Sequence, residues 1–327
     1  MSDRLRQAVE NGHVVLPEGN VLVMEPREDS DLSVFKREST VFQTRRASVE
    51  AFLHRAGWPG AGPQSDWTAV VVFLPRAKEA QRALIRFARK VATQAPIIID
   101  GDKVDGIESI YKDLRRRTEV TAPWSKSHGK VFTVTGGSFD DWPELQERQA
   151  DDGWWRAPGV FSADGIDPAS QLLADTLPPE MTGHVVDLGA GWGFLSHHVA
   201  RRADVTKIGM VEDDVLALNA AVNNVTDMRA TPHHADALTW SPAAPVDHVV
   251  TNPPFHTGRA ADPALGQGFI RTAARILQRN GTLWLVANRQ LPYETTLEET
   301  FRDVHLLKET AQFKLYRAER PRARRKG

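Results

Sequence analysis

Cysteine does not occur in the 327 residues. Its absence excludes a disulfide framework, thiolate metal sites and a cysteine nucleophile, and it fits a reducing compartment. Long apolar runs are missing too: no stretch approaches the ~18 apolar residues of a membrane span. The opening residues, MSDRLRQAVENGHVVL, hold no apolar core of signal-peptide length. The expectation is a cytoplasmic protein without a membrane partner. Charge of one sign is not in excess, the formal net charge being -1. That balance does not advertise a nucleic-acid binder, whose domain is commonly basic, and DNA is not expected as a partner. Metal-ligand spacing is lacking as well. His197 and His198 are adjacent, as are His233 and His234, and no ligand spacing recurs, so no metal is expected.

What is present is enough apolar residue for two ordinary cores. A length of 327 residues suggests two domains, since domains usually run ~100–200 residues. Basic residues cluster twice: at Arg115, Arg116 and Arg117, and in a tail carrying Arg317, Arg320, Arg322, Arg324, Arg325 and Lys326. By themselves such runs read as solvated surface.

Residues 1–150 have the layout of a half-size α/β domain. Asn20 to Pro26 suits a short strand, and the β-branched run Ala69 to Leu74 suits a buried one. A helix is expected over Arg76 to Thr93, a strand over Pro96 to Asp100 and a helix over Asp105 to Arg117. Alternation of this kind implies a parallel sheet. No glycine-rich turn follows either buried strand: AVVVFLPRAKEA offers proline where a ligand-cradling loop needs glycine. Residues 136–158, rich in Gly, Pro, Asp and Trp, read as the join, with Trp142, Trp154 and Trp155 as packing residues or as stacking platforms for bases.

Residues 151–327 alternate strand and helix from a glycine-rich turn onward, the pattern of a doubly wound α/β domain. Strands are expected at His184–Leu188, Lys207–Glu212, Thr231–His234, Val246–Thr251, Thr282–Ala287, Phe301–Glu309 and Gln312–Arg317. Helices are expected at Phe194–Ala203, Asp214–Val225 and Gly266–Gln278.

Four strand ends carry the chemistry. In DLGAGWG, Asp187 precedes Gly189, Gly191 and Gly193. Glycines there let the backbone turn tightly and approach a ligand, with helix N–H groups facing it. The spacing differs from the G-x-G-x-x-G of dinucleotide binders, and the acid suits a cationic ligand better than a pyrophosphate. A ligand-free strand–helix turn is the plain alternative. Glu212 ends the next strand, where doubly wound folds place the acid that bonds ribose hydroxyls. Asp213 and Asp214 compete for that role. Asp236 ends the third strand, placed either to take a bond from an adenine amine or to cap a helix.

The fourth strand ends in Asn252, Pro253, Pro254 and Phe255. Two prolines at a strand end forfeit ladder donors. They make sense if the Pro253 carbonyl must face a ligand. An exocyclic amine on an aromatic base has its lone pair delocalised into the ring, and its two hydrogens must be held before it attacks a methyl group. The Asn252 side-chain oxygen and the Pro253 carbonyl can accept both bonds, and Phe255 can stack on the base.

At these residues the chain resembles a class I S-adenosylmethionine-dependent methyltransferase of the amino-methylating branch. The segments GVFSADGIDPASQLL, NPPFHTGRAADPALGQGFI, LVANRQLPY and FKLYRA resemble the bacterial small-subunit rRNA guanine-N2 methyltransferase of type C, over most of residues 155–320. The resemblance implies S-adenosylmethionine as cofactor. It implies a cofactor site lined by Asp187, Gly189, Gly191 and Gly193, with Glu212 on the ribose and Asp236 on the adenine. Phe161 and Asp167 would lie in the segment folded over the cofactor, and Asn252, Pro253, Pro254 and Phe255 would hold the target base. It further implies a first domain that is a degenerate copy of the second, docking RNA or lending stability. The partner would be ribosomal RNA in the small subunit, with a monomer favoured. Trp192, where the family commonly has a small residue, and the arginine-rich tail depart from the pattern. Large-subunit guanine-N2 methylation, protein glutamine methylation and a non-catalytic ribosome-assembly role stay open at this point.

Overall fold

Buried apolar runs dictate both sheets. The computed structural model describes residues 3–58, 66–254 and 263–322, and the chain divides into two units, Met1–Gln146 and Glu147–Gly327. The division falls within the join expected over 136–158, slightly before the boundary expected at 150.

The first unit contains α1 (Arg4–Glu10), β1 (Asn20–Met24), β2 (Thr40–Gln43), α2 (Ala47–Arg55), β3 (Trp67–Phe73), α3 (Lys78–Val91), β4 (Ile97–Asp102), α4 (Ile107–Arg115), β5 (Glu119–Val120), β6 (Trp124–Lys126) and β7 (Gly129–Thr135). Its sheet runs β2-β1-β3-β4-β7-β5, with β6 also on β7. The first four strands are parallel and β7 is antiparallel to β4. Both faces of β3 are covered. Val70 and Val72 pack with Leu84, Ile85, Ile110 and Leu114 of α3 and α4, whereas Ala69 and Val71 pack with Leu5, Ala8, Val49 and Leu53 of α1 and α2. Burial on both faces explains why the run is β-branched throughout rather than alternating.

Charges fill the carboxyl edge of this sheet. Arg4 is fully buried; it pairs with Asp100 and lies 2.9 Å from Asp102. Arg27, three residues past β1, reaches Asp102 at 2.9 Å and Asp105 at 3.5 Å. Burial pushes the Asp100 carboxyl up, and Arg4 opposes it. This edge, where open α/β sheets bind ligands, is thus spanned by the protein's own ion pairs.

The second unit opens with a short hairpin, β8 (Arg148–Gln149) and β9 (Trp155–Arg156), then α5 (Pro168–Thr176). There follow β10 (Gly183–Leu188), α6 (Phe194–Ala200), β11 (Val205–Glu212), α7 (Val215–Asn224), β12 (Ala230–His234), β13 (Val246–Thr251), α8 (Pro263–Ile276), β14 (Leu277–Asn288), α9 (Glu294–Thr300), β15 (Phe301–Glu309) and β16 (Phe313–Pro321). The sheet order is β12-β11-β10-β13-β14-β16-β15, parallel except for β16, which is antiparallel to both of its neighbours. Val185, Ile208 and Met210 pack with α5, α6 and α7 on one face, and Val186, Val211 and Leu283 pack with α8 and α9 on the other. The order β11-β10-β13-β14-β16 repeats β2-β1-β3-β4-β7 of the first unit, strand direction included. Among the described residues the first unit lacks a counterpart of β12. Trp142 is buried in the first unit against Phe139, and Trp154 packs within the second on Trp192, Phe194 and His197.

Two expected elements moved. The helix expected over 266–278 runs from Pro263 to Ile276, and the strand expected over 282–287 begins at once at Leu277. Val246 pairs with Leu277 and His248 with Thr282, so the polar Gln278, Arg279 and Asn280 sit in an irregularity of the ladder between them. No helix among the described residues is long and apolar enough to cross a membrane.

Candidate active site

Two neighbouring strands end at the site, and a buried bond ties them together. The Thr251 hydroxyl donates to the Leu188 carbonyl at 2.7 Å, fixing the last residue of β13 against the last residue of β10. The glycine turn leaves from Leu188 and the Asn252–Pro254 segment leaves from Thr251. Chain separation between the two motifs is thereby converted into proximity.

The turn's geometry requires glycine. Gly191 has φ +55 and Gly193 has φ +86, the left-handed region that L side chains resist. A Cβ on Gly193 would lie 3.0 Å from the Ala221 Cα, so that glycine serves close helix packing. A Cβ on Gly191 would meet nothing within 4 Å and would project into the cleft. The walls of this open cleft include Phe161, Asp167, Ser170, Gly189, Gly191 and Asn252.

Asp187 lies beneath the turn and is fully buried. Its Oδ2 accepts from the Ser196 backbone N–H at 2.9 Å and from the Ser196 hydroxyl at 2.7 Å, which ties the turn to α6. Its Oδ1 has no partner among the described residues. Burial pushes its carboxyl up to about 7, Ser196 draws it partly back, and the Glu212 charge adds to the rise. A carboxyl raised this far is kept neutral by the fold. Its stabilising contribution is full below its ordinary value near 3.8 and is lost as pH rises through about 7. The stability of the chain without cofactor is therefore expected to fall between about pH 4 and about pH 7. In Asp187→Asn the fall is shallower. Thermal unfolding across that range checks this, and identical pH profiles would refute it.

Glu212 braces the turn from the next strand. One carboxylate oxygen accepts from the Gly191 N–H at 2.8 Å and the other from the Asp214 N–H at 2.9 Å. Asp214 is the N-cap of α7, accepting from Leu216 N–H at 3.0 Å, which separates the two neighbouring acids by role. Asp236 accepts from Leu238 N–H at 2.8 Å, capping its own turn, and is not among the residues lining the cleft. Phe161 lines the cleft with about half of its surface exposed. Its carbonyl accepts from the Trp192 indole N–H at 3.1 Å, so the tryptophan inside the glycine turn fastens the covering segment. The Arg156 guanidinium sits over the Trp192 ring at 4.8 Å and Trp154 packs beside it.

Asn252 is half-buried, Pro253 buried and Pro254 exposed; Phe255 lies outside the described residues. The Asn252 amide nitrogen donates to Asp167 Oδ2 at 2.9 Å and to Ser170 Oγ at 2.9 Å. Asp167 also caps α5, its Oδ2 accepting from Ser170 N–H at 2.8 Å, with Pro168 at the first helical position. Its carboxylate is thus turned toward Asn252. Sequence reading missed Ser170, Thr251 and the Trp192 bond. α5 itself was not expected from the sequence, so neither its Asp167 cap nor what that cap would touch was foreseen.

The basic runs are partly spoken for. Arg317 lies 3.1 Å from Glu319, Arg320 pairs with Asp303, and Arg322 donates to the Phe301 carbonyl at 2.8 Å. Arg117 forms a two-pronged pair with Asp141. Arg324, Arg325 and Lys326 lie outside the described residues.

Known proteins share this arrangement. A family model described as "Methyltransferase small domain" matches residues 153–317. The Ribosomal RNA small subunit methyltransferase C of Hahella chejuensis is 28% identical over 335 residues, covering 95% of each chain. The protein of that name from Shigella flexneri serotype 5b is 38% identical over 282 residues, covering 82% of this chain and 80% of its own. Among solved structures, the T. thermophilus 16S rRNA N2 G1207 methyltransferase in complex with AdoMet and guanosine superposes with a TM-score of 0.79 at 27% identity, covering 94% of this chain and 90% of that one. A class I methyltransferase sheet preceded by a second α/β unit, a glycine turn beside an Asn-Pro-Pro segment, and these matches lead to one conclusion: the chain belongs to the ribosomal RNA small subunit methyltransferase C family.

Proposed function

We propose that the second unit transfers a methyl group from S-adenosylmethionine to the exocyclic N2 amine of a guanine in small-subunit ribosomal RNA. The observation that carries this reading is a single cleft bearing both the Gly189–Gly191 turn and the Asn252 side chain. The cleft fits the cofactor. Gly191 leaves the space a Cβ would fill, and Asp187 carries a buried oxygen without a partner beneath the turn. Gly189 and Gly191 would hold the cofactor with Asp187 below, Phe161 covering it, Glu212 on the ribose and Asp236 on the adenine, while Gly193 lets α6 pack closely on α7. When bound, S-adenosylmethionine supplies a methyl group already activated by the sulfonium, so no strong general base is required.

The chain's own residues do the rest. Asn252 Oδ1 and the Pro253 carbonyl accept the two amine hydrogens and stabilise the positive charge that grows on nitrogen in the transition state. Holding the nitrogen in line supplies a further part of the rate. The Phe161 segment, fastened by Trp192, excludes water from the cofactor side. The first unit, whose carboxyl edge is closed by its own ion pairs, binds no cofactor and serves as a docking or stabilising unit. The setting is the cytoplasm, with the oligomeric state open and a monomer favoured.

The test is transfer of tritiated methyl to small subunits, large subunits and free ribosomal RNA from a strain lacking this enzyme. Label in small-subunit guanine bears the reading out. Label in large subunits or in protein moves the substrate to a related class, and cofactor binding without label favours an assembly role.

A further inference from the structure

An asparagine amide has two ends of similar size and opposite polarity, and a half-turn exchanges them. With oxygen toward the cleft, Asn252 accepts an amine; with nitrogen toward it, the same residue repels one. Something must choose between these orientations. Both hydrogens of the Asn252 amide nitrogen are already committed, one to Asp167 Oδ2 and one to Ser170 Oγ, each at 2.9 Å. An ionised carboxylate has no hydrogen to give. Turning the Asn252 oxygen toward Asp167 would set acceptor against acceptor. Asp167 is itself fixed as the N-cap of α5, and Ser170 is 8% exposed in the first turn of that helix.

We propose that Asp167 is the positioning residue that locks the Asn252 amide with Oδ1 toward the target nitrogen, making this side chain an acceptor only, while the Ser170 hydroxyl, which could face either end, holds the amide in place. The inference rests on the reading of Asn252 as the holder of the target amine. It moves part of the specificity from the strand end to the first turn of a helix more than eighty residues earlier in the chain. A substrate edge presenting an amine at this position is bound, and one presenting a carbonyl oxygen meets an oxygen and is refused.

Asp167→Asn tests the choice of amide end, and Ser170→Ala tests the hold on the amide, because it removes one partner and leaves the α5 cap, which uses the Ser170 backbone N–H. The readouts are kcat and KM for methyl transfer to small ribosomal subunits lacking the modification, and the affinity for S-adenosylhomocysteine by calorimetry. We expect kcat to fall about tenfold, the worth of one such hydrogen bond, with KM and S-adenosylhomocysteine affinity little changed. Ser170→Thr, which keeps the hydroxyl, restores the rate. Asp167→Asn, whose amide can present either end, also lowers kcat. In an Asn252→Ala background, Ser170→Ala has no further effect on the residual rate, since there is no amide left to orient. Unchanged kcat in both Ser170→Ala and Asp167→Asn would overturn the proposal. So would an equal loss from Ser170→Ala with and without Asn252, which would assign the effect to the cofactor or the fold. If Asn252→Ala alone retains the parental kcat, the reading of Asn252 fails instead, and the lock falls with it.

Discussion

Asn252→Ala lowers the rate of methyl transfer at saturating cofactor by about 10²–10³-fold, the loss that follows removal of one preorganised partner of transition-state charge, and lowers cofactor affinity far less. The reason lies in timing. The amine of a base is nearly uncharged before reaction and becomes cationic as the new bond forms, so an acceptor aimed at it gains strength along the reaction path. Truncation has a second effect. Asp167 Oδ2 and Ser170 Oγ lose the donor between them, and such a loss in a partly buried place costs about 1–3 kcal/mol. A modest drop in melting temperature should therefore accompany the loss of rate. Asn252→Asp is expected to be worse on both counts, because its carboxylate would face that of Asp167. Kinetics with labelled cofactor, beside thermal unfolding of each variant, separate the two effects. A parental rate in Asn252→Ala would remove the residue from the chemistry.

Two glycines of one turn are expected to fail in opposite ways. In Gly191→Val the new side chain enters the cleft, where no atom stands within 4 Å of its Cβ. The fold bears only the left-handed strain of ~1–2 kcal/mol, while cofactor affinity falls on the order of 100-fold or more, each tenfold being about 1.4 kcal/mol. In Gly193→Val the Cβ meets the Ala221 Cα at 3.0 Å, which is backbone and cannot turn aside. Overpacking of ~1–3 kcal/mol adds to the same strain, and the unit itself is destabilised. Melting curves with and without S-adenosylhomocysteine distinguish them. Ligand raises the melting temperature of a protein that binds it. Gly191→Val should melt near the parent and show no such rise, whereas Gly193→Val should melt lower under both conditions. A parental rise in Gly191→Val would show that the cleft is not where cofactor binds.

Strands buried on both faces were the most legible part of the sequence. AVVVFL, PIIID and HVVDL announce β3, β4 and β10 because burial on two sides demands unbroken apolar residues. α1 was not legible. It is a short polar helix whose Arg4 is buried only because Asp100, 96 residues away, waits for it. The same limit applies at the site. The glycine turn, Glu212 and Asn252 carry local spacing that a reader can follow. The contacts of Asn252 with Asp167 and Ser170 span 85 and 82 residues and arise from the packing of α5 on β14, the neighbour of β13. Side chains that act through another side chain leave no periodic trace in the sequence.

The closed carboxyl edge of the first unit also bears on how such a chain can change by mutation. Arg4, Arg27, Asp100 and Asp102 hold one another across β1, β3 and β4. Removing one partner of a buried pair leaves an uncompensated charge at a cost of about 3–5 kcal/mol, a large share of the ~5–15 kcal/mol that holds a protein folded. Replacing Arg4 or Asp100 singly is therefore expected to destabilise the unit before any ligand is gained at that edge, whereas the partly exposed Arg27 can change at lower cost. The second unit has no such barrier around Gly191. Selection on the two halves is decoupled, one constrained by keeping a space open and the other by keeping it filled.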